Sequence, residues 1–167
     1  MRAWAVSIGS EIMSGQITDT NATFLAQECA AAGIDFIRVT QVGDDMTSLV
    51  ETLKLALTEA DVVICTGGVG PTDDDLTREA IAQVAGETPE VDPVLLRELR
   101  DFFANRGQDM PERNAKQAWM IPSARTLPNP VGTAPGWLVS IDRDGLKGSI
   151  IAMPGVPREM FRMWREQ

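Results

Sequence analysis

Carboxylates and glycines carry most of the chemistry open to this chain. They are densest in TGGVGPTDDDLT, residues 66–77. Gly67, Gly68 and Gly70 would let the backbone approach a ligand closely, and Thr72 adds a hydroxyl. An aspartate capping the next helix would explain one of Asp73, Asp74 and Asp75. Three in a row repel one another unless solvated or neutralised by a cation, so the segment reads as a ligand loop. It is not a Walker A loop, because the lysine is missing. A second acidic segment, Gly43-Asp44-Asp45, could hold a divalent cation through oxygen ligands or supply a base. The plainer alternative is an acidic turn capping a helix that begins near Thr47.

Two further segments belong with these. In GSEIMSGQITDTN, residues 9–21, Asp19 or Thr20 suits a helix cap, while Glu11 and Asn21 are left for a ligand. NPVGTAPG (129–136) and PGVPREM (154–160) place Asn129, Gly132, Thr133, Pro154 and Gly155 where a rigid wall could face a flat heterocycle. Simple turns are the alternative there. Lys116 could meet a phosphate as a point charge, against the default of a surface lysine.

Composition removes several mechanisms. The chain has no histidine, which excludes Ser-His-Asp and Cys-His nucleophile systems and the commonest zinc ligand. Tyrosine is absent too, so hydrolysis here should rely on carboxylates, a metal and positioned water. The net charge of −9 opposes nucleic-acid binding, and the basic candidates Arg78, Lys116 and Arg158 are isolated. Cys29 and Cys65 sit far apart on apolar segments and read as buried thiols. No apolar run approaches bilayer length and the start has no signal-peptide pattern, so no membrane partner is expected and the chain is read as cytoplasmic.

The 167 residues suit one domain. Strand-like runs at 3–8, 35–42 and 61–66 alternate with helical patterns. The first helix begins near residue 20 and ends at Gly33. The second carries the stripe Leu49, Val50, Leu53, Ala56, Leu57, and the third carries Leu76, Ala80 and Val84. This alternation predicts an α/β domain with a right-handed parallel βαβ sheet. If the second strand neighbours the third, Asp44 and Asp45 share a sheet edge with Asp75. Asp92 and Pro93 open another helix, with Leu95, Leu96, Leu99, Phe102 and Phe103 as its buried stripe. PERNAKQA begins a short helix, and 127–136 is irregular. WLVSI (137–141) and SIIAM (149–153) form a hairpin around DRDG, and a helix follows PGVP.

Taken together, TGGVGPTDDDLT, GSEIMSGQITDTN, VGDD, NAKQA, NPVGTAPG and MPGVPREM resemble, in order and spacing, the CinA amino-terminal domain within the MoaB/Mog molybdopterin-binding-like family. The resemblance covers nearly the whole chain. It implies a three-layer α/β/α fold with a mostly parallel mixed sheet, and a homo-oligomer, dimeric or trimeric. For CinA domains it implies metal-dependent ADP-ribose pyrophosphatase activity giving AMP and ribose 5-phosphate, with Mg, Mn or Co. For Mog relatives it implies binding and adenylylation of molybdopterin.

The aspartates that matter in Mog carry over to Asp44 and Asp75. On the enzyme reading they hold the cation, assisted by Asp45, Asp74 or Glu11. The amides of Gly67, Gly68 and Gly70 then stabilise developing charge, and Lys116 neutralises a phosphate oxygen. A pterin-binding protein and a non-catalytic nucleotide-binding domain are the other readings. Ser10 departs from the family pattern, where many members carry an acidic or amide residue. No deamidase activity is expected of these residues, since the carboxyl-terminal domain that confers it in longer CinA proteins is not among them.

Overall fold

A computed structural model describes residues 1–167. One six-stranded sheet, ordered β2-β1-β3-β8-β7-β6, organises it. Its strands are β1 (Arg2–Ile8), β2 (Asp35–Val42), β3 (Val62–Thr66), β6 (Ala124–Leu127), β7 (Gly136–Arg143) and β8 (Leu146–Met153). β2, β1, β3 and β8 run parallel, while β7 pairs antiparallel with both β8 and β6. The helices are α1 (Ser10–Met13), α2 (Thr20–Ala31), α3 (Met46–Glu59), α4 (Thr77–Ala85), α5 (Pro93–Ala104) and α6 (Pro157–Glu166). A 3₁₀ helix spans Glu112–Ala118, and the short strands β4 (Glu90–Val91) and β5 (Trp119–Met120) pair beside it.

Alternation along β1 builds the three layers. Trp4, Val6 and Ile8 join the larger core, with Leu49 and Leu53 of α3 and Ala80 and Ile81 of α4. Ala3 and Ala5 point the other way, against Leu25 and Cys29 of α2 and Met160 and Met163 of α6. Side chains on opposite faces of one strand therefore hold two helical layers. β3 is buried along its whole length, as its unbroken apolar run requires. Both thiols are buried and free, and burial pushes Cys65 up to about 12.

Local chemistry sets most element ends as expected. Asp19 accepts a hydrogen bond from the amide of Ala22, and Asp92 accepts from those of Val94 and Leu95, with Pro93 in the first turn. The β7–β8 hairpin turns at Asp144 and Gly145, both at positive φ, the geometry that tight hairpins favour.

Three expectations change. β2 does not neighbour β3, because β1 lies between them. All three are parallel, so the loops after them still open on one edge. The α5 stripe is not buried as a whole: only Leu99 is, because α5 packs mainly on the 3₁₀ segment rather than on the sheet. The segment after β1 is not purely a loop, since α1 occupies part of it.

Candidate functional site

The loops at the carboxyl ends of β1, β2, β3 and β8 enclose a cleft of about 660 Å³. Crevices at this edge of an open parallel sheet are where ligands enter such folds. Glu11 and Asn21 line it from the β1 side and Asp44 from the β2 side. Gly67, Gly68, Gly70, Thr72, Asp74 and Asp75 line it from the β3 side, and Thr133, Pro154 and Gly155 from the far wall. The structure thus gathers most of the expected residues. The sequence reading missed Ile17, Gln117, Val156 and Glu159, which also line the cleft. Ile17 and Val156 are about half exposed, at 50% and 53%. Large apolar side chains left exposed at a cleft mouth are the signal that could have marked them, but exposure is not legible in a sequence.

The glycine loop is held from within. The Asp75 carboxylate accepts from the Gly70 amide at 2.9 Å, the Thr72 amide at 2.8 Å and the Thr72 hydroxyl at 2.6 Å. The Thr77 hydroxyl donates to Gly67 O at 2.7 Å, and the Thr77 amide donates to Gly68 O at 3.0 Å. Close packing restricts the glycine positions. A Cβ on Gly67, at φ +102, would lie 2.2 Å from the Ile8 carbonyl oxygen, and one on Gly70 would lie 2.5 Å from Asp75 Oδ2. Beneath the loop Arg78, 1% exposed, donates to the carbonyls of Val69 and Pro135. Burial lowers its guanidinium to about 10, against partial support from Glu79 and Asp75. No side chain caps α4.

Asp44 belongs to the opposite wall. Its Oδ2 accepts from the Ser10 amide at 2.9 Å, and its own amide donates to the Ser10 hydroxyl at 3.3 Å. Ser10 thus pins the β1 and β2 loops together. Asn21 is 6% exposed and donates through Nδ2 to Gly155 O at 2.8 Å, while its buried Oδ1 has no partner.

Several residues serve other ends. Asp45 does not line the cleft. It caps α3 by accepting from the Ser48 amide at 2.8 Å, and that backbone hydrogen bond holds its carboxyl below the ordinary range. Lys116 is not in the cleft either. Its ammonium lies 2.7 Å from Glu79 and donates to Thr72 O at 3.0 Å, so it braces the glycine loop from behind. Asn129 spends both polar atoms on partners within the protein. Oδ1 accepts from the Val131 and Gly132 amides, and Nδ2 donates to Ala134 O and Glu159. With Gly132 it lines an adjoining cavity rather than the cleft. Asp73 and Asp74 are exposed, so solvation relieves the repulsion between them.

The expected metal set of Glu11, Asp44, Asp45, Asp74 and Asp75 does not converge: no group of three or more carboxylates or thiols can hold one ion. That arrangement does not fit a cation caged by protein alone. It fits one carried by substrate phosphates and touched by one or two carboxylates, Asp44 or Asp75.

The fold and cleft define a known class. Residues 4–167 match the family described as "probable molybdopterin binding domain", and the chain belongs to that family. Within it, the chain falls with the CinA proteins. It is 59% identical over 167 residues to a CinA-like protein of Thermomicrobium roseum, covering 100% of this chain and 40% of that protein. It is 56% identical over 162 residues to a CinA-like protein of Deinococcus radiodurans, covering 97% of this chain and 40% of that protein. The chain thus spans about two-fifths of the length of these curated relatives. The crystal structure of CinA from Thermoplasma acidophilum superposes with a TM-score of 0.88 at 34% identity, covering 98% of this chain and 94% of that one. The tungsten cofactor synthesizing protein MoaB from Pyrococcus furiosus shares the fold, with a TM-score of 0.62 at 16% identity over 98% and 88%. The expected MoaB/Mog-type α/β architecture is therefore present. No helix is long and apolar enough to cross a membrane.

Proposed function

We propose that the cleft binds a phosphorylated heterocyclic small molecule, with phosphate against the Gly67–Gly70 loop and the start of α4. The observation that carries this reading is the convergence of four carboxyl-end loops on one cleft whose glycine wall is already internally bonded. The start of α4 has no side-chain cap, so its positive dipole end behind the glycine loop suits an anion, and the buried charge of Arg78 offsets the surrounding carboxylates. Ile17 and Val156 at the mouth suit the face of a ring. Molybdopterin is the occupant favoured by the family match. If it binds, protein purified from a molybdopterin-producing host yields a fluorescent pterin after oxidation. Its absence from such preparations, with no binding of added molybdopterin, would sink this assignment.

Hydrolysis of ADP-ribose is the second reading, favoured by the likeness to CinA proteins and by the two-carboxylate geometry of Asp44 and Asp75. A divalent cation carried in on the diphosphate would polarise phosphorus and acidify an attacking water. Asp44, pinned by Ser10, and Asp75, pinned across Gly70 and Thr72, would help hold that cation and orient the water. The assay is AMP release from ADP-ribose with Mg²⁺, Mn²⁺ or Co²⁺ beside an EDTA control. Release that disappears in Asp44→Asn supports hydrolysis, and no release with any of the three metals rejects it. A homo-oligomer, dimer or trimer, in the cytoplasm completes the reading and rests on the family resemblance. Sedimentation velocity reads the oligomer directly.

A further inference from the structure

The side chains that line the cleft are rich in acceptors and poor in donors. Glu11, Asp44, Asp74, Asp75 and Glu159 bring carboxylates to it, and no lysine or arginine does. Only Asn21 and Gln117 bring nitrogen donors. Asn21 commits its Nδ2 to Gly155 O. Gln117 is 2% exposed, and its Oε1 accepts from Asn114 Nδ2 at 2.9 Å, yet its Nε2 donates to no group of the protein. That nitrogen is not sealed in the interior either, so it opens where Gln117 lines the cleft.

We propose that Gln117 is a specificity-determining residue of the cleft, its Nε2 donating to an oxygen of the phosphate at the glycine loop, and that Lys116 positions it. This rests on the reading that the glycine loop holds phosphate. Three observations carry it. A nearly buried donor without an acceptor is costly to leave empty, and the bond from Asn114 fixes which end of the amide faces the cleft. Lys116 then ties this segment to the loop itself. Its ammonium lies 2.7 Å from Glu79 and 3.0 Å from Thr72 O, with the side chain only 12% exposed, and Thr72 in turn donates to Asp75. Consecutive residues of the 3₁₀ helix thus serve the loop differently: Lys116 grips it from behind and Gln117 faces the cleft. The third observation is the acidity of the lining. A lysine or arginine among these carboxylates would be captured in an ion pair, as Glu79 captures Lys116. A neutral amide, held by Asn114, keeps its donor for the ligand.

Calorimetric titration of inorganic pyrophosphate with Mg²⁺ tests this, because that probe offers phosphate oxygens and no ring. Gln117→Met removes the donor at similar side-chain length and should weaken binding about tenfold. Gln117→Glu keeps an acceptor for Asn114 and turns the donor into a further carboxylate, so it should weaken binding more, and it decides the matter alone should Gln117→Met not fold. Lys116→Met should weaken binding about threefold, and Lys116→Arg, which can renew both ties, should restore most of that loss. Wild-type affinity in both Gln117 variants would overturn the proposal and leave the phosphate reading intact. Equal losses in Lys116→Met and Lys116→Arg would overturn the positioning role of Lys116. Failure of wild type to bind pyrophosphate would overturn the Gln117 contact, since a preformed phosphate site needs no ring. Failure of ADP-ribose and of a phosphorylated pterin as well would overturn the phosphate reading with it.

Discussion

The two walls of the cleft are built on opposite plans. The β3 wall is closed on itself. Asp75 takes three hydrogen bonds from its own loop, Thr77 ties down Gly67 and Gly68, and Arg78 fills the space beneath. The β1 wall is instead tied outward, through Ser10 to Asp44 of the β2 loop and through Asn21 to Gly155 after β8, and keeps polar groups at the cleft. Glu11 is exposed, Ile17 faces solvent, and the buried Asn21 Oδ1 has no partner. The difference teaches a division of labour. A preorganised wall makes no conformational adjustment when an anion docks, whereas an unsatisfied wall gains its missing partners from the ligand.

Substitutions that break the closed wall should have the largest effects. Arg78→Met removes a buried charged donor and orphans the carbonyls of Val69 and Pro135, so a loss of about 3 kcal/mol is expected in urea unfolding. A loss below about 1 kcal/mol would mean that the loop does not depend on its buried cation. Next comes Asp75→Asn, where an amide NH₂ must face a backbone N–H that the carboxylate now accepts. The expected loss is about 2 kcal/mol, and Asp44→Asn on the open wall should cost less than half as much. Equal costs for the two would erase the contrast between walls.

Asn21→Ala sharpens the comparison from the other side. It removes one bond to Gly155 O, for about 1 kcal/mol of stability, yet should weaken ligand binding about tenfold by deleting the unpaired acceptor. Unchanged affinity in that variant would show that Oδ1 meets no ligand.

The smallest effect belongs to Asp45, outside both walls. The Ser48 amide lowers its folded pKa below the ordinary value of 3.8. Its contribution is therefore fully present above about pH 4 and fades as pH falls through the lowered folded value. Asp45→Asn should flatten that acid limb of the stability curve and leave ligand binding unaffected.

The pattern of what could be read from the residues follows the same division. Features set by short-range chemistry were legible: the caps at Asp19 and Asp92, the buried run of β3, and the turn at Asp144-Gly145. The gathering of Asp44, Asp75 and the glycines on one edge was legible too, because parallel strands bring their carboxyl ends together in any order. What long-range pairing decides was not. Nothing in VVICT reveals that β1 stands between β2 and β3. Nothing in NAKQA shows that Lys116 belongs to Glu79, or that Gln117, one residue on, is the one lining the cleft. The α5 stripe misled because amphipathicity promises a partner without saying how much of the face that partner covers. Asp45 and Asn129 misled because capping and loop-closing use the same atoms as ligand binding.

The position of β8 has its own consequence for how the chain is made. This strand, near the end of the sequence, pairs with β3 on one side and β7 on the other, in the interior of the sheet. A ribosome therefore delivers β1, β2 and β3 with their helices well before the strand that completes the sheet. Until Leu146–Met153 emerges, β3 offers an open, apolar edge to any strand nearby. The nascent chain is most prone to mispairing during that interval.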